Sequence, residues 1–141
     1  MKINNRAMTI ALSLLSLLFL TSTIHVFASD AELVDRGQAR YQGDCGGCHG
    51  KFARGDGTVA KVLTIPPSDL TVLAKDNQGR FPEDYVRRVI DGRELPPSAH
   101  GQTGMPVWGR DYRRSLLAYS EEVVQRNINE LVAYLKSIQV E

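Results

Sequence analysis

Cys45-Gly46-Gly47-Cys48-His49 sets two thiols three positions apart and an imidazole directly after the second. Two cysteines at that spacing can each form a thioether with one of the two vinyl groups of a porphyrin. The histidine that follows then lies where a ring nitrogen can reach the iron, which makes C-x-x-C-H the attachment pattern of a c-type haem. Gly46 and Gly47 carry no side chains and let the backbone lie close to the ring edge. Three other chemistries compete for these residues. A thioredoxin-type redox pair expects a βαβ setting, which the flanks do not offer. Structural zinc needs four ligands, whereas the chain holds 2 cysteines and, besides His49, only His25 and His100. A disulfide across two intervening residues closes little chain and gains little. Haem attachment uses all five residues; the iron then does the chemistry, and the polypeptide tunes and delivers it.

One histidine leaves the opposite face of the iron open, and the group that fills it separates electron transfer from chemistry on a small molecule. Methionine is the ligand expected of an electron-transfer haem. The chain has 3 methionines. Met1 and Met8 fall in an N-terminal leader, so Met105 is the one that remains, in a glycine- and proline-rich loop where a core-filling methionine is not expected. The plainer alternative is that Met105 is a packing residue. His100, five residues earlier, is the other candidate ligand, although a lone loop histidine is more often solvated than bound to metal.

The leader is a basic start, Lys2 and Arg6, followed by an apolar run from Ala7 to Leu20 broken only by Thr9, Ser13 and Ser16. Val26-Phe27-Ala28 then suits a signal peptidase. Residues 1–28 are therefore expected to be a secretory signal peptide cleaved after Ala28. An uncleaved anchor is the alternative, since Ala7 to Phe27 just reaches spanning length, but Thr21, Ser22, Thr23 and His25 weaken its end. Export suits the cysteines, because haem is attached through thioethers outside the bacterial cytoplasm. Residues 29–141 make one small domain, for which a covalently held cofactor can act as a staple. Without Lys2 and Arg6, the 17 basic residues fall to 15 against 16 acidic ones. That balance gives no support for nucleic-acid binding.

The elements that must position these groups read as helices. Ala31 to Tyr41 is expected to be helical, with Asp30 as N-cap, Gly43 as stop, and Leu33, Gly37 and Tyr41 on one face. Gly50 to Pro67 reads as loop, with a helical turn near Val59 to Leu63. Pro82 to Asp91 reads as a second helix, with Glu83 and Asp84 at its start and Gly92 past its end. Gly92 to Gly109 is again loop. A last helix from about Ser120 to Ser137 carries an apolar stripe of Val124, Ile128, Leu131, Leu135 and Ile138. No segment sustains period-two alternation, so the fold expected is all-α, three to five helices wrapped around the haem.

The haem motif, the later Gly104-Met105-Pro106-Val107-Trp108-Gly109 and the closing amphipathic helix together resemble a class I monohaem cytochrome c, over essentially all of the mature chain. Gly55-Asp56-Gly57, Pro66-Pro67-Ser68-Asp69-Leu70-Thr71 and His100-Gly101 are similar to a bacterial, periplasmic branch of that family. The resemblance implies that Gly37 and Tyr41 on the first helix meet Leu131 and Tyr134 on the last. It further implies one covalent haem c held by Cys45 and Cys48, with His49 and Met105 as the iron ligands. The function expected is a periplasmic one-electron carrier cycling between Fe(II) and Fe(III), not an enzyme. Its partners would be redox proteins of a respiratory chain (a dehydrogenase, oxidase or reductase), with membrane contact only if the leader is kept. Two alternatives are a haem subunit of a respiratory or dehydrogenase complex, and a haem enzyme or sensor in which Met105 is displaced. The carbonyl of Pro66 or Pro67 is expected to accept the His49 ring N–H and orient the imidazole. Trp108 either donates its indole N–H to a haem propionate or packs beside the methionine. Arg110 to Tyr119, with Arg110, Arg113 and Arg114 close together, reads as a solvated face or as a docking surface.

Overall fold

The computed structural model describes residues 30–94, 104–115 and 120–140. By its contacts the chain divides into Met1–Glu32 and Leu33–Glu141, and the architecture is that of the second unit. In chain order it comprises α1 (30–44, of which 33–44 fall in this unit), the single turn α2 (Gly46–His49), a 3-10 turn at Ala60–Val62 and the single turn α3 (Leu73–Asp76). These are followed by α4 (Glu83–Asp91), α5 (Trp108–Arg114) and α6 (Glu121–Ser137). There is no strand among the described residues, so the class is all-α, and no described helix is long and apolar enough to cross a membrane.

The last helix organises the core. Ser120 caps it, its side chain accepting from the Val123 N–H at 3.4 Å, and Glu121 and Glu122 lie at the positive end of the dipole. Val124, Ile128, Leu131 and Leu135 are buried along one stripe, and Ile138 packs at its end. Burying each such side chain fully contributes roughly 1.5–3 kcal/mol. One buried charge sits in the same helix: Glu130, with Arg36 at 3.0 Å and Arg40 at 2.9 Å on its two oxygens.

Both arginines come from α1, which crosses α6 at Gly37. A Cβ built on Gly37 would lie 1.9 Å from the Glu130 carbonyl oxygen and 2.9 Å from Tyr134 Cβ, so only glycine permits this approach. One turn on, Tyr41 stacks obliquely on Tyr134 with ring centroids 5.1 Å apart, and Leu131 is fully buried. Gly37 and Tyr41 thus meet Tyr134 as expected.

Three boundaries differ from the sequence expectation. α1 already includes Asp30 and runs through Gly43 to 44. Gly43 does not stop it because it is not in the left-handed conformation of a helix-ending glycine, and the Cys45 N–H donates to the Tyr41 carbonyl at 2.8 Å across it. α4 begins at Glu83, with Pro82 as its N-cap, and closes on Gly92 in the left-handed region (φ 79°). Three short helices were not expected, α2, α3 and α5. The last begins just before the basic stretch read as a solvated or docking face and runs into it, and its Tyr112 is buried.

Candidate cofactor site

The pentapeptide closes into a helical turn directly after α1. Cys48 and His49 donate their backbone N–H groups to the Cys45 carbonyl at 3.1 and 2.9 Å, and Gly50 donates to that of Gly46 at 2.9 Å. Positions three and four apart on a helix share a face. Cys45, Cys48 and His49 are therefore presented together, each half-buried, and both thiols are free.

A turn this short cannot hold its own carbonyls, and the following loop satisfies them. The N–H groups of Gly57, Val59 and Gly55 donate to the carbonyls of Cys48, Gly47 and His49 at 3.1, 3.0 and 2.8 Å. Gly57 is required by this closeness, since a Cβ there would fall 2.3 Å from the Gly47 oxygen and 2.5 Å from that of Cys48. From the other side, the buried Tyr41 hydroxyl donates to the Gly50 carbonyl at 2.7 Å.

The same loop delivers the group that orients His49. Gly55 backs onto the Pro67 carbonyl, and Leu70 N–H donates to the Ala53 carbonyl at 2.7 Å. That register brings the Ser68 carbonyl to 3.0 Å from His49 Nδ1. The expected acceptor, Pro66 or Pro67, is thus corrected by one residue: Pro67's oxygen is turned onto Gly55. A carbonyl can only accept, so Nδ1 carries the proton and Nε2 keeps its lone pair. Burial holds the His49 pKa below the usual imidazole range, opposed by the bond to Ser68, so the neutral ring dominates near pH 7. The Cys45 thiol is pushed up to about 12, chiefly by burial and then by Asp44 and Cys48. It stays protonated and is a poor nucleophile or thiolate ligand by itself.

Met105 lies on another segment, the one leading into α5. It is half-buried and packs against the same hydrophobic cluster that Cys45, Leu70, Tyr85 and Trp108 border. A single loop joins the two segments. Val59 Cγ2 lies 3.9 Å from a Cβ built on Gly47, and Leu63 Cδ2 lies 3.7 Å from one built on Gly104. Among the described residues no three of His, Cys, Asp and Glu converge as a cation site. Trp108 packs beside Tyr112, with centroids 5.9 Å apart, within the cluster that Met105 borders. The other candidate ligand, His100, lies outside the described residues, as do the leader through Ala28 and Leu116 to Tyr119.

Two polar features of this region escaped the sequence reading. Tyr112 donates its hydroxyl to Asp44, the residue before Cys45, at 2.5 Å. Asp91 is buried at the end of α4. A carboxylate in the last turn of a helix opposes the dipole, and that mismatch is the sequence signal that could have flagged it. Comparison with protein-family models, with curated proteins and with solved structures finds no match to this chain.

Proposed function

We propose that this protein is an exported one-electron carrier, a small cytochrome c-like domain holding one covalent haem c. The observation that carries the proposal is the α2 turn. It presents Cys45, Cys48 and His49 on one face, with the imidazole already in the tautomer that leaves Nε2 free to bind iron. The residues present fit that group on further counts. The thiols are unpaired, and imidazole and thioether are both axial donors to haem iron. Val59 and Val62, 40% and 82% exposed on the loop that joins the two segments, are apolar side chains with little to cover them. A planar apolar group seated beside α2 would give them a surface to pack on.

A haem bound there supplies a one-electron Fe(II)/Fe(III) couple. The chain's part is to hold and tune it. Cys45 and Cys48 would anchor the ring by thioethers, and His49, fixed by Ser68, would be one axial ligand. Met105 would be the other; a thioether favours reduced iron, and burial disfavours the extra positive charge of ferric iron, so both raise the potential. With both axial positions taken, no coordination position is left for a substrate, which favours a carrier over an enzyme. Its partners are then redox proteins, a donor and an acceptor such as a respiratory dehydrogenase and an oxidase or reductase, in the periplasm.

The test is retention of haem by the denatured chain. Wild-type protein is expected to keep one haem through acid–acetone extraction and denaturing electrophoresis, and Cys45→Ala with Cys48→Ala to keep none. Loss of haem from the wild-type chain under the same treatment overturns the proposal.

A further inference from the structure

α5 begins at Trp108, three residues after Met105, a separation the chain can span by at most on the order of 10 Å. Where α5 is fastened therefore decides where Met105 is held. Beside the buried Tyr112, its fastening is a buried charge. Asp91, the last residue of α4, keeps only 4% of its side chain exposed, and two guanidiniums face it. Arg93 Nε lies 2.6 Å from Oδ2, and Arg113 Nη1, from α5, lies 2.9 Å from Oδ1. The Arg113 contact is a charge contact and not an aligned hydrogen bond. Arg113 turns its other edge to Glu121 at the start of α6, with Nε to Oε2 at 2.8 Å and Nη2 to Oε1 at 2.7 Å.

Backbone contacts follow the same line. Gly109 lies so close to Asp91 that a Cβ would overlap its Oδ1 and reach its backbone oxygen at 2.7 Å, and Val107 is pressed against Gly92. One carboxylate thus ties the end of α4 to α5, and Arg113 extends the tie to α6. Apolar residues of similar volume would stabilise such a junction as well or better, because a buried ion pair gains little over its desolvation cost. A charge pair fixes one arrangement instead.

We infer that Asp91 is a positioning residue for Met105: through Arg113 and Gly109 it anchors α5, and so sets how firmly the methionine sulfur is held at the iron. This rests on Met105 being the axial ligand. The contacts of Asp91 are with Arg93, Arg113 and Gly109, so its part would be played through the segment it fastens.

The test uses haem-loaded protein and imidazole as a competitor for the Met105 position. Asp91→Asn keeps the shape and removes the charge. It should retain covalent haem yet bind imidazole about tenfold more tightly in the ferric state, equivalent to about 1.4 kcal/mol. Its potential should fall, and amide hydrogen exchange over 111–115, whose N–H groups close α5, should quicken. Val132→Ala, a core truncation in α6, serves as a control for lost stability alone and should leave imidazole affinity unchanged. If Asp91→Asn does not accumulate, Arg113→Gln gives the same readout in the same direction from a more exposed side chain. Equal shifts in Asp91→Asn and Val132→Ala, or none in either, overturn the inference. Should the wild-type protein lack a methionine–iron band, the ligand assignment fails instead. The tether is then decided by exchange alone, and unchanged protection over 111–115 in Asp91→Asn sinks it.

Discussion

Gly37 and Gly43 lie six residues apart on α1, and replacing each by alanine should move stability in opposite directions. At Gly43 nothing lies within 4 Å of a built Cβ. Alanine there gains helix propensity, so Gly43→Ala should stabilise by roughly 0.5–1 kcal/mol. At Gly37 the added carbon would sit 1.9 Å from the Glu130 oxygen and 2.7 Å from its carbonyl carbon. Both are backbone atoms and cannot swing aside. To restore ordinary contact the crossing must open by about 1 Å, a gap that forfeits a quarter to a half of each dispersion contact. The Tyr41–Tyr134 ring pair lies on that crossing and is worth about 0.5–1.5 kcal/mol. So do the contacts of Arg36 and Arg40 with Glu130. Overpacking by itself costs about 1–3 kcal/mol. Set against the propensity gain, the net loss should be about 2–4 kcal/mol, a fall in Tm on the order of 10–20 °C for a domain near this size. Thermal unfolding followed by far-ultraviolet circular dichroism, on wild type and both variants, measures it. If Gly37→Ala melts with Gly43→Ala, the close crossing of α1 and α6 is refuted.

Three further outcomes are expected. Glu130→Ala leaves Arg36 and Arg40 without their buried partner and should cost about 3 kcal/mol in urea unfolding, whereas Arg36→Ala, at a half-exposed position, should cost less than about 1 kcal/mol. Glu121 is held down to about 2 by hydrogen bonds from Arg113 and Gln125. The stability it adds is therefore present above the ordinary 4.5 and lost as pH falls toward 2. Wild type and Glu121→Gln should then differ in Tm at pH 6 to 7 and converge near pH 2, and a constant difference across that range contradicts the pairing. Mass spectrometry of periplasmic material should find a chain beginning at Ser29 or Asp30 with one haem added, and full-length chain in the membrane fraction would instead mark a retained anchor.

Where an element carries its own signals, the sequence was enough to read it. Ser120, the acidic first turn and the apolar stripe define α6, and Glu83, Asp84 and Gly92 bracket α4. The crossing at Gly37 was expected from the resemblance of Gly37, Tyr41, Leu131 and Tyr134 to one family's helix contacts, and the physical reason it works is that glycine adds no Cβ at the approach. What stayed hidden depends on contacts distant in the chain. α5 reads as basic loop because its helix is held by Tyr112 on Asp44 and Arg113 on Asp91, 68 residues away in the first case. Arg113, read as solvated or docking, is engaged within the fold by Asp91 and Glu121. The acceptor for His49 was missed by one position because the register of 66–71 is fixed by Ala53 and Gly55, not by local sequence. Glu130 breaks no pattern in a helix rich in acids, and only the two arginines of α1 show why it is buried.

The optical spectrum of the purified protein, oxidised and reduced, tests the central proposal most directly when Met105→Ala and His100→Ala are measured beside it. Wild type and His100→Ala should both give a covalent, low-spin haem spectrum with the methionine–iron charge-transfer band toward the red. Met105→Ala should lose that band, fall in potential and bind carbon monoxide when reduced. A band that survives Met105→Ala, or a spectrum that changes only in His100→Ala, would contradict ligation by His49 and Met105, and with it the high-potential carrier.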